Sequence, residues 1–491
     1  MTERTTSKGV IRGVERLGVE QYRGIRYGEA PVGERRFRAP QPSQQWSDGW
    51  IGTLDATTFA NRAMQPPMSA IFGGVGPGTN NEDCLFLNVF TPASGGGGRP
   101  VVFWIHGGSY TSGSANDYNA SIIADQGDVV VVAVNYRLGA FGFLDLSEFG
   151  NDYAGSAANG IRDQILALEW TRDHIADFGG DPDLVTIIGE SAGAGSVLGI
   201  MAAPSADGLY HRAVANSPGG INVPTSGRWA ERLAERLADG LGGDASVLDR
   251  LLGASAQDVL DAQIAANFAA GTIDGTVVTR HPVDAIRDRG ASGVALVIGT
   301  NLDEGTLFTL PMRDRPDLLD ASCRALAVQV TRNGDTDAYF ADLRARFPDD
   351  DAYALANRVW VDLFRRTSVE AADAATVSGP GGWLYRLDLS TTVAGDALGA
   401  THSADVALTF NWLGSERPMG FSLYERDDPT AVELSRRWSA TILAFARTGN
   451  PNGAGLPDWQ PYSADARSCL VLDTTIEIRD DPDGADRDRW R

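Results

Sequence analysis

Hydrophobic positions along this chain fall into two rhythms. Short unbroken apolar runs occupy 101–105, 129–134, 185–188, 213–216, 295–298 and 383–387. Runs of this length, rich in β-branched residues, suit strands buried on both faces of a parallel sheet. Elsewhere the apolar residues recur every three or four positions, as at Ile161, Ile165, Leu168 and Ile175, which is the spacing of a helix with one buried stripe. Gly179-Gly180-Asp181-Pro182 ends that helix before the run at 185. Residues 228–270 and 311–376 also read as helices, with Ala and Leu inside and Asp and Arg outside. Strands alternating with helices predict an α/β fold with a large, mostly parallel central sheet.

The flanking segments carry weaker patterns. Residues 10–25 hold short apolar runs punctuated by glycine, as small antiparallel strands do, whereas 1–8 is polar and predicts a frayed end. Residues 24–50, rich in Pro, Gly and aromatics, read as an ordered coil covering the core. Residues 64–81 form a Gly, Pro and Met loop without periodicity, long enough to line a pocket mouth.

At 491 residues, the chain fits one large domain with insertions or two domains. With 43% hydrophobic and 22% charged residues it is globular, and its net charge of −22 repels phosphate, arguing against nucleic acid or anionic membrane as partner. No apolar run reaches 18 residues and the first ten residues lack an apolar core, so neither a membrane span nor a cleaved signal is expected. Cys84, Cys323 and Cys469 are too few and too scattered for a disulfide framework or a zinc site. A reducing, cytoplasmic setting follows.

Chemistry enters at Gly189-Glu190-Ser191-Ala192-Gly193, which follows the run at 185–188 and leads into small, helix-compatible residues up to Met201. The pentapeptide by itself arises by chance roughly 0.4 times in a chain of this glycine content. Strand before and helix after are the confirming context, because a sharp strand-to-helix turn raises a serine hydroxyl above a sheet. A serine needs a base, and the base needs an orienting group.

Five histidines are available. His106 opens an HGG turn and is expected to fix it, His174 lies on a charged helix facing solvent, His211 is structural, and His281 has no obvious partner. His402 sits in a loop after the strand at 383–387 and is the candidate base. For the acid, Asp303 and Glu304 both follow the strand at 295–298, and spacing does not decide between them. Glu190 reads as a buried carboxylate packed beside the serine. The order serine, acid, histidine is that of α/β-hydrolases. The amides of Gly107, Gly108 and Ala192 are candidate oxyanion donors, since glycine lets a backbone approach a reacting centre.

These residues, with GIRYGEAPVGERRFRAP from Gly24, EDCLFLNV from Glu82, HGGS from His106, NYRLGAFGF from Asn135, NGIRDQILALEW from Asn159, FGGDPDLVTIIGESAGAGS from Phe178, NLDEG from Asn301 and FARTGNPN from Phe445, resemble the type-B carboxylesterase and lipase family. Those α/β-hydrolases include the cholinesterases, and the likeness is to bacterial para-nitrobenzyl-esterase-like members. The resemblance spans nearly the whole chain. It implies a single α/β-hydrolase domain over 1–491, with helical insertions at about 225–290 and 311–376 roofing the pocket. It implies Ser191 as nucleophile, Glu304 rather than Asp303 as acid, His402 as base, and Gly107, Gly108 and Ala192 as oxyanion hole. It implies hydrolysis of a small-molecule ester through an acyl-enzyme, without metal or organic cofactor; separately, a monomer or weak homodimer is expected.

Two departures qualify the resemblance. The cysteine of EDCLFLNV often pairs with one about twenty residues earlier, but residues 62–65 offer none, so Cys84 is expected to be free. The stretch 64–84 also lacks the tryptophan that cholinesterases use to hold a quaternary ammonium, so a choline ester is not the expected substrate. The same machinery would serve a carbamate or amide hydrolase, or a lipase. A silent binding protein of the adhesion type, which loses the serine, is the rival outside catalysis.

Overall fold

The valine-rich runs become inner strands in the structure, a computed structural model that describes residues 1–67, 76–219, 221, 228–271, 273–289, 293–332, 334–394, 397–415, 421–453 and 455–490. Contacts divide the chain into two units, Met1–Ala213 with Val223–Pro282, and Val214–Asn222 with Val283–Arg491.

The first unit carries β1 (Thr2–Thr6), β2 (Gly9–Arg16), β3 (Val19–Arg26), β4 (Thr53–Asp55), β5 (Phe86–Pro92), β6 (Arg99–Ile105), β7 (Val130–Val134) and β8 (Gly180–Glu190). Their order is β1-β2-β3-β5-β7-β6-β8, with β4 alongside β2. β6 runs parallel to both β7 and β8, and every residue of β6 and β7 is buried. That burial on both faces is why these strands are continuous in Val and Ile rather than alternating. From β1 to β7 the neighbouring strands along that order pair antiparallel instead.

The polar start does not fray. It forms β1, paired with β2 from Thr2↔Gly13 to Thr6↔Gly9, and Arg4 Nε donates to Glu20 Oε2 at 3.1 Å. Ladder hydrogen bonds and β-branched threonines hold a strand that apolar content alone does not announce. Residues 24–50 are mostly coil, as expected, apart from the end of β3, a 3₁₀ turn at Gly33–Arg35 and a short α-helix at Gln44–Asp48.

Helices Arg228–Leu241, Val247–Gly253 and Ala256–Ala265 occupy the stretch expected to be helical. Leu233, Leu237, Leu251, Val259 and Leu260 form one cluster with Phe37, Phe141 and Leu146, which fixes those helices on the first unit. Of the loop at 64–81, residues 68–75 lie outside those described, as do 225–227 of the first helical stretch.

The second unit carries most of β9 (Arg212–Asn216), then β10 (Ala295–Asn301), β11 (Gly382–Leu387), β12 (Ser468–Leu472) and β13 (Glu477–Asp480), in that order. β10, β11 and β12 are parallel, and β13 returns antiparallel. Helices Pro316–Val330, Thr336–Arg346 and Ala352–Ser378 fill the second helical stretch. Asp335 and Asp351 cap the last two, accepting from Ala338 N at 2.9 Å and Ala354 N at 2.8 Å. Strands β12 and β13 and helix Pro429–Thr448 were not anticipated. The apolar run in β12 is only four residues, and β13 is a polar edge.

Among the described residues no helix is long and apolar enough to cross a membrane. Cys84, Cys323 and Cys469 are all free and buried.

Candidate active site

β8 delivers the chain to Ser191, whose backbone sits at φ 59°, ψ −123°. A side chain with Cβ resists that region, so the surrounding packing must impose it. Two glycines make the imposition possible. A Cβ on Gly189 would lie 2.4 Å from the Gly193 carbonyl, and one on Gly193 would lie 2.1 Å from the Ile105 carbonyl oxygen. Strand β8, the end of β6 and the first turn of helix Ala192–Ala202 therefore approach closer than any larger residue allows. The helix begins at Ala192 directly after the serine, so its unbonded amides lie next to the hydroxyl.

β6 runs straight into the HGG turn. A Cβ on Gly107 would meet Glu190 Oε2 at 2.9 Å and Ser191 Cβ at 3.0 Å, so this turn abuts the serine. Gly108 has φ 111°, and Ser109 follows in the left-handed region at φ 55°. His106 is buried and lies with Nδ1 2.8 Å from the Gly107 carbonyl oxygen, which can only accept, so Nδ1 carries the proton. Its ring stacks on Tyr136 at 4.5 Å, and the Tyr136 hydroxyl donates to the His106 carbonyl at 2.8 Å. Burial pushes the His106 pKa down to about 4, against the pull of its bond to Gly107. An imidazole that is neutral at pH 7 thus braces the turn. Gln65 braces the far side, accepting from Gly113 N and donating to Gly113 O, both at 3.0 Å. Burial and then the nearby Glu190 raise the Tyr118 phenol well above its ordinary pKa, and a hydrogen bond joins that phenol to the Gly107 backbone. Glu190 is itself buried.

In the second unit β10 ends at Asn301 and the chain turns back at once. Glu304 is fully buried. Its Oε1 accepts from Ser217 Oγ at 2.5 Å and from Asn301 N at 2.7 Å, while Oε2 lies 2.5 Å from His402 Nδ1. Three partners thus hold the carboxylate in a fixed orientation. A carboxylate only accepts, so His402 holds its proton on Nδ1 and presents Nε2 as the basic nitrogen.

Asp303, left in competition with Glu304 by spacing alone, turns the other way. Its Oδ2 accepts from Ala400 N at 2.9 Å and its own N–H donates to Ala400 O at 2.9 Å, so it fastens the histidine loop. Burial raises its pKa. Asn301 Nδ2 donates to Thr401 O at 2.7 Å, immediately before His402. The imidazole stacks on Phe364 with centroids 4.6 Å apart and touches Phe308 at 5.0 Å.

Ser191, Gly107, Gly108 and Ala192 thus lie together in the first unit, and Glu304 with His402 in the second. Ser217, Asn301 and Phe364 are neighbours that sequence reasoning missed; Asn301 alone stood in a quoted motif. His174 is half-buried against Trp46 at 4.6 Å and Trp170 at 5.5 Å instead of facing solvent, because the segment 24–50 folds a tryptophan over it, and burial lowers its pKa. His211 is structural as expected, its Nδ1 accepting from Val185 N at 3.2 Å. Among the described residues, no cluster of three or more His, Cys, Asp or Glu is placed to hold a metal ion.

Comparison with known proteins identifies the family and the fold. The model of the Carboxylesterase family matches residues 1–490. The chain is 34% identical to the para-nitrobenzyl esterase of Bacillus subtilis (strain 168), over 99% of this chain and 97% of that protein. It is 32% identical to the phenmedipham hydrolase of Pseudarthrobacter oxydans, over 95% and 94% respectively. Among solved structures, the Geobacillus stearothermophilus carboxylesterase EST55 superposes with a TM-score of 0.86 at 35% identity, covering 100% of both chains. A thermophilic PNB esterase gives 0.87 at 31% identity, covering 100% and 99%. The fold is that of the α/β-hydrolases.

Proposed function

Because this chain belongs to the carboxylesterase family and hydrolyses carboxylic esters, we propose that Ser191 is its nucleophile, His402 its general base and Glu304 the acid that orients the base. The observation that carries this assignment is the Glu304 carboxylate, buried, with one oxygen 2.5 Å from His402 Nδ1 and the other bound to Ser217 and Asn301. A carboxylate held from both sides fixes the tautomer in which Nε2 can take a proton.

In this mechanism Ser191 Oγ attacks the ester carbonyl carbon as His402 Nε2 accepts the hydroxyl proton. Charge builds on the carbonyl oxygen, and the amides of Gly107, Gly108 and Ala192 are proposed to bind it. Each such donor contributes about 10²- to 10³-fold in rate. His402 then passes its proton to the departing alcohol oxygen, leaving an acyl-serine. Water, deprotonated by the same nitrogen, attacks the acyl carbon and releases the acid.

We further propose a preference for small to medium, uncharged or weakly charged esters, since 64–84 holds no tryptophan for a quaternary ammonium. A single α/β-hydrolase domain is supported by the family match over 1–490. Three free buried thiols favour a cytoplasmic setting, and a net charge of −22 favours a monomer or weak homodimer.

Treatment with a fluorophosphonate, followed by peptide mass spectrometry, tests the assignment. One adduct per chain is expected, on Ser191, with complete loss of turnover of a p-nitrophenyl ester. Inactivation with the label on another residue would refute it, and so would a Ser191→Ala variant that keeps turnover.

A further inference from the structure

Helix Ala352–Ser378 brings a buried guanidinium to the end of β10. Arg365 is 4% exposed, and a cation so far from water needs partners for its donors. It finds three. Nη1 donates to Asp483 Oδ1 at 3.0 Å, Nε to Thr300 Oγ1 at 3.1 Å, and Nη2 to the Asn301 carbonyl at 2.7 Å. Asp483 is buried as well and also accepts from Arg386 Nη1 at 3.2 Å.

The residue gripped in this way is the one that joins the acid to the base. The Asn301 backbone N–H donates to Glu304 Oε1, and its side-chain amide donates to the carbonyl of Thr401, next to His402. Glu304 and His402 are 98 positions apart in the chain, on loops that leave different strands. No short covalent path sets their separation. Asn301 spans them directly, and one rigid, planar cation holds Asn301 and the residue before it.

We propose that Arg365, anchored by Asp483, is a positioning residue for the reaction: it clamps Asn301 so that Glu304 and His402 keep their contact through both chemical steps. This rests on the roles assigned to Glu304 and His402 above. A buried ion pair that served stability alone would change the melting temperature and leave kcat untouched. The same helix supplies such a pair for comparison. Asp362, three residues before Arg365, binds Arg489 at 2.8 Å and reaches neither Asn301 nor Glu304.

The test compares R365M/D483N, which removes both charges and leaves neither ion exposed to an apolar interior, with D362L/R489M, using a p-nitrophenyl ester. For R365M/D483N, kcat is expected to fall about tenfold or more with KM within about twofold, the size of effect that a sub-ångström misplacement of catalytic groups produces. R365K, which keeps one charged donor, is expected to recover part of that loss. D362L/R489M is expected to lower the melting temperature while kcat stays within about twofold of the parent. If R365M/D483N does not accumulate as folded protein, R365Q replaces it with the same expected loss. A kcat within about twofold of the parent in whichever of these folds overturns the proposal, as does an equal loss of kcat in D362L/R489M. S191A and E304A measured alongside separate the two levels. Retained turnover in them refutes the triad assignment, whereas inactive S191A and E304A beside a fully active R365M/D483N refute only the positioning role.

Discussion

Replacing Glu304 by glutamine changes one oxygen to an NH₂ group and nothing in shape, and the surroundings dictate where that group must point. If the amide oxygen faced His402, the NH₂ would confront Ser217 Oγ and Asn301 N. The serine hydroxyl can rotate and accept, but a backbone N–H cannot. It would be left buried without a partner, at a cost of about 1–3 kcal/mol. The opposite orientation is therefore favoured about 5- to 160-fold, with the oxygen kept by Ser217 and Asn301 and the NH₂ aimed at His402 Nδ1. Nδ1 must then accept, so the imidazole proton moves to Nε2 and the basic lone pair is lost. The equivalent amide replacement in serine proteases costs about 10⁴ in kcat, or about 5.5 kcal/mol of barrier. We expect Glu304→Gln to lose about 10³- to 10⁴-fold in kcat, with KM within a few fold and the circular dichroism spectrum unchanged. The assay is steady-state hydrolysis of p-nitrophenyl butyrate, with p-nitrophenol release in the first turnover measured by stopped flow. More than about a tenth of parental kcat in a folded Glu304→Gln protein would show that Glu304 does not set the tautomer.

Other predictions rest on neighbouring contacts. Ser217→Ala removes one of the two donors to Glu304 Oε1, and kcat is expected to drop about tenfold without a change in KM, in the same ester assay. Phe364→Ala deletes the ring stacked on His402 and should destabilise by about 3–5 kcal/mol in urea titration while lowering kcat; unchanged values of both would contradict the packing. Gly193→Ala places a Cβ 2.1 Å from a backbone oxygen that cannot move aside, so the folded yield and melting temperature should both fall. His106 titrates near 6.5 when unfolded and about 4 when folded. A depressed folded pKa contributes stability that is complete above 6.5 and lost as the pH falls through 4, here about 3 kcal/mol. Melting temperatures recorded from pH 7 to 4 should therefore fall less steeply in His106→Gln than in the parent, and equal slopes would refute the neutral, bracing role.

Much of this architecture was legible before any coordinates. Buried parallel strands must be continuously apolar, so β6, β7, β8, β10 and β11 announced themselves, and the helical stretches after 228 and 311 showed their periodicity. The glycines around Ser191 were legible for a related reason: a strand that becomes a helix within one residue leaves no room for a Cβ, and the 2.1 Å and 2.4 Å approaches at Gly193 and Gly189 measure that room. Where backbone hydrogen bonding rather than burial did the work, the pattern was silent. β1 is a polar strand held by its ladder, and β13 is a polar edge.

Local order fixed which residue types stood near one another in sequence, and so the chain alone could name Ser191, His402 and a pair of adjacent carboxylates. Spacing could not choose within that pair, because Asp303 and Glu304 differ by one position and a turn sends neighbouring side chains in different directions; the family resemblance alone preferred Glu304. The folded turn after β10 sends Asp303 to Ala400 and Glu304 to His402. The contributions of Ser217, Asn301, Phe364 and Arg365 are likewise properties of the tertiary structure. They come from three separate segments, Phe364 and Arg365 being neighbours on one helix, and what they share is a place around Glu304, His402 and Asn301, a proximity that no periodicity or spacing encodes.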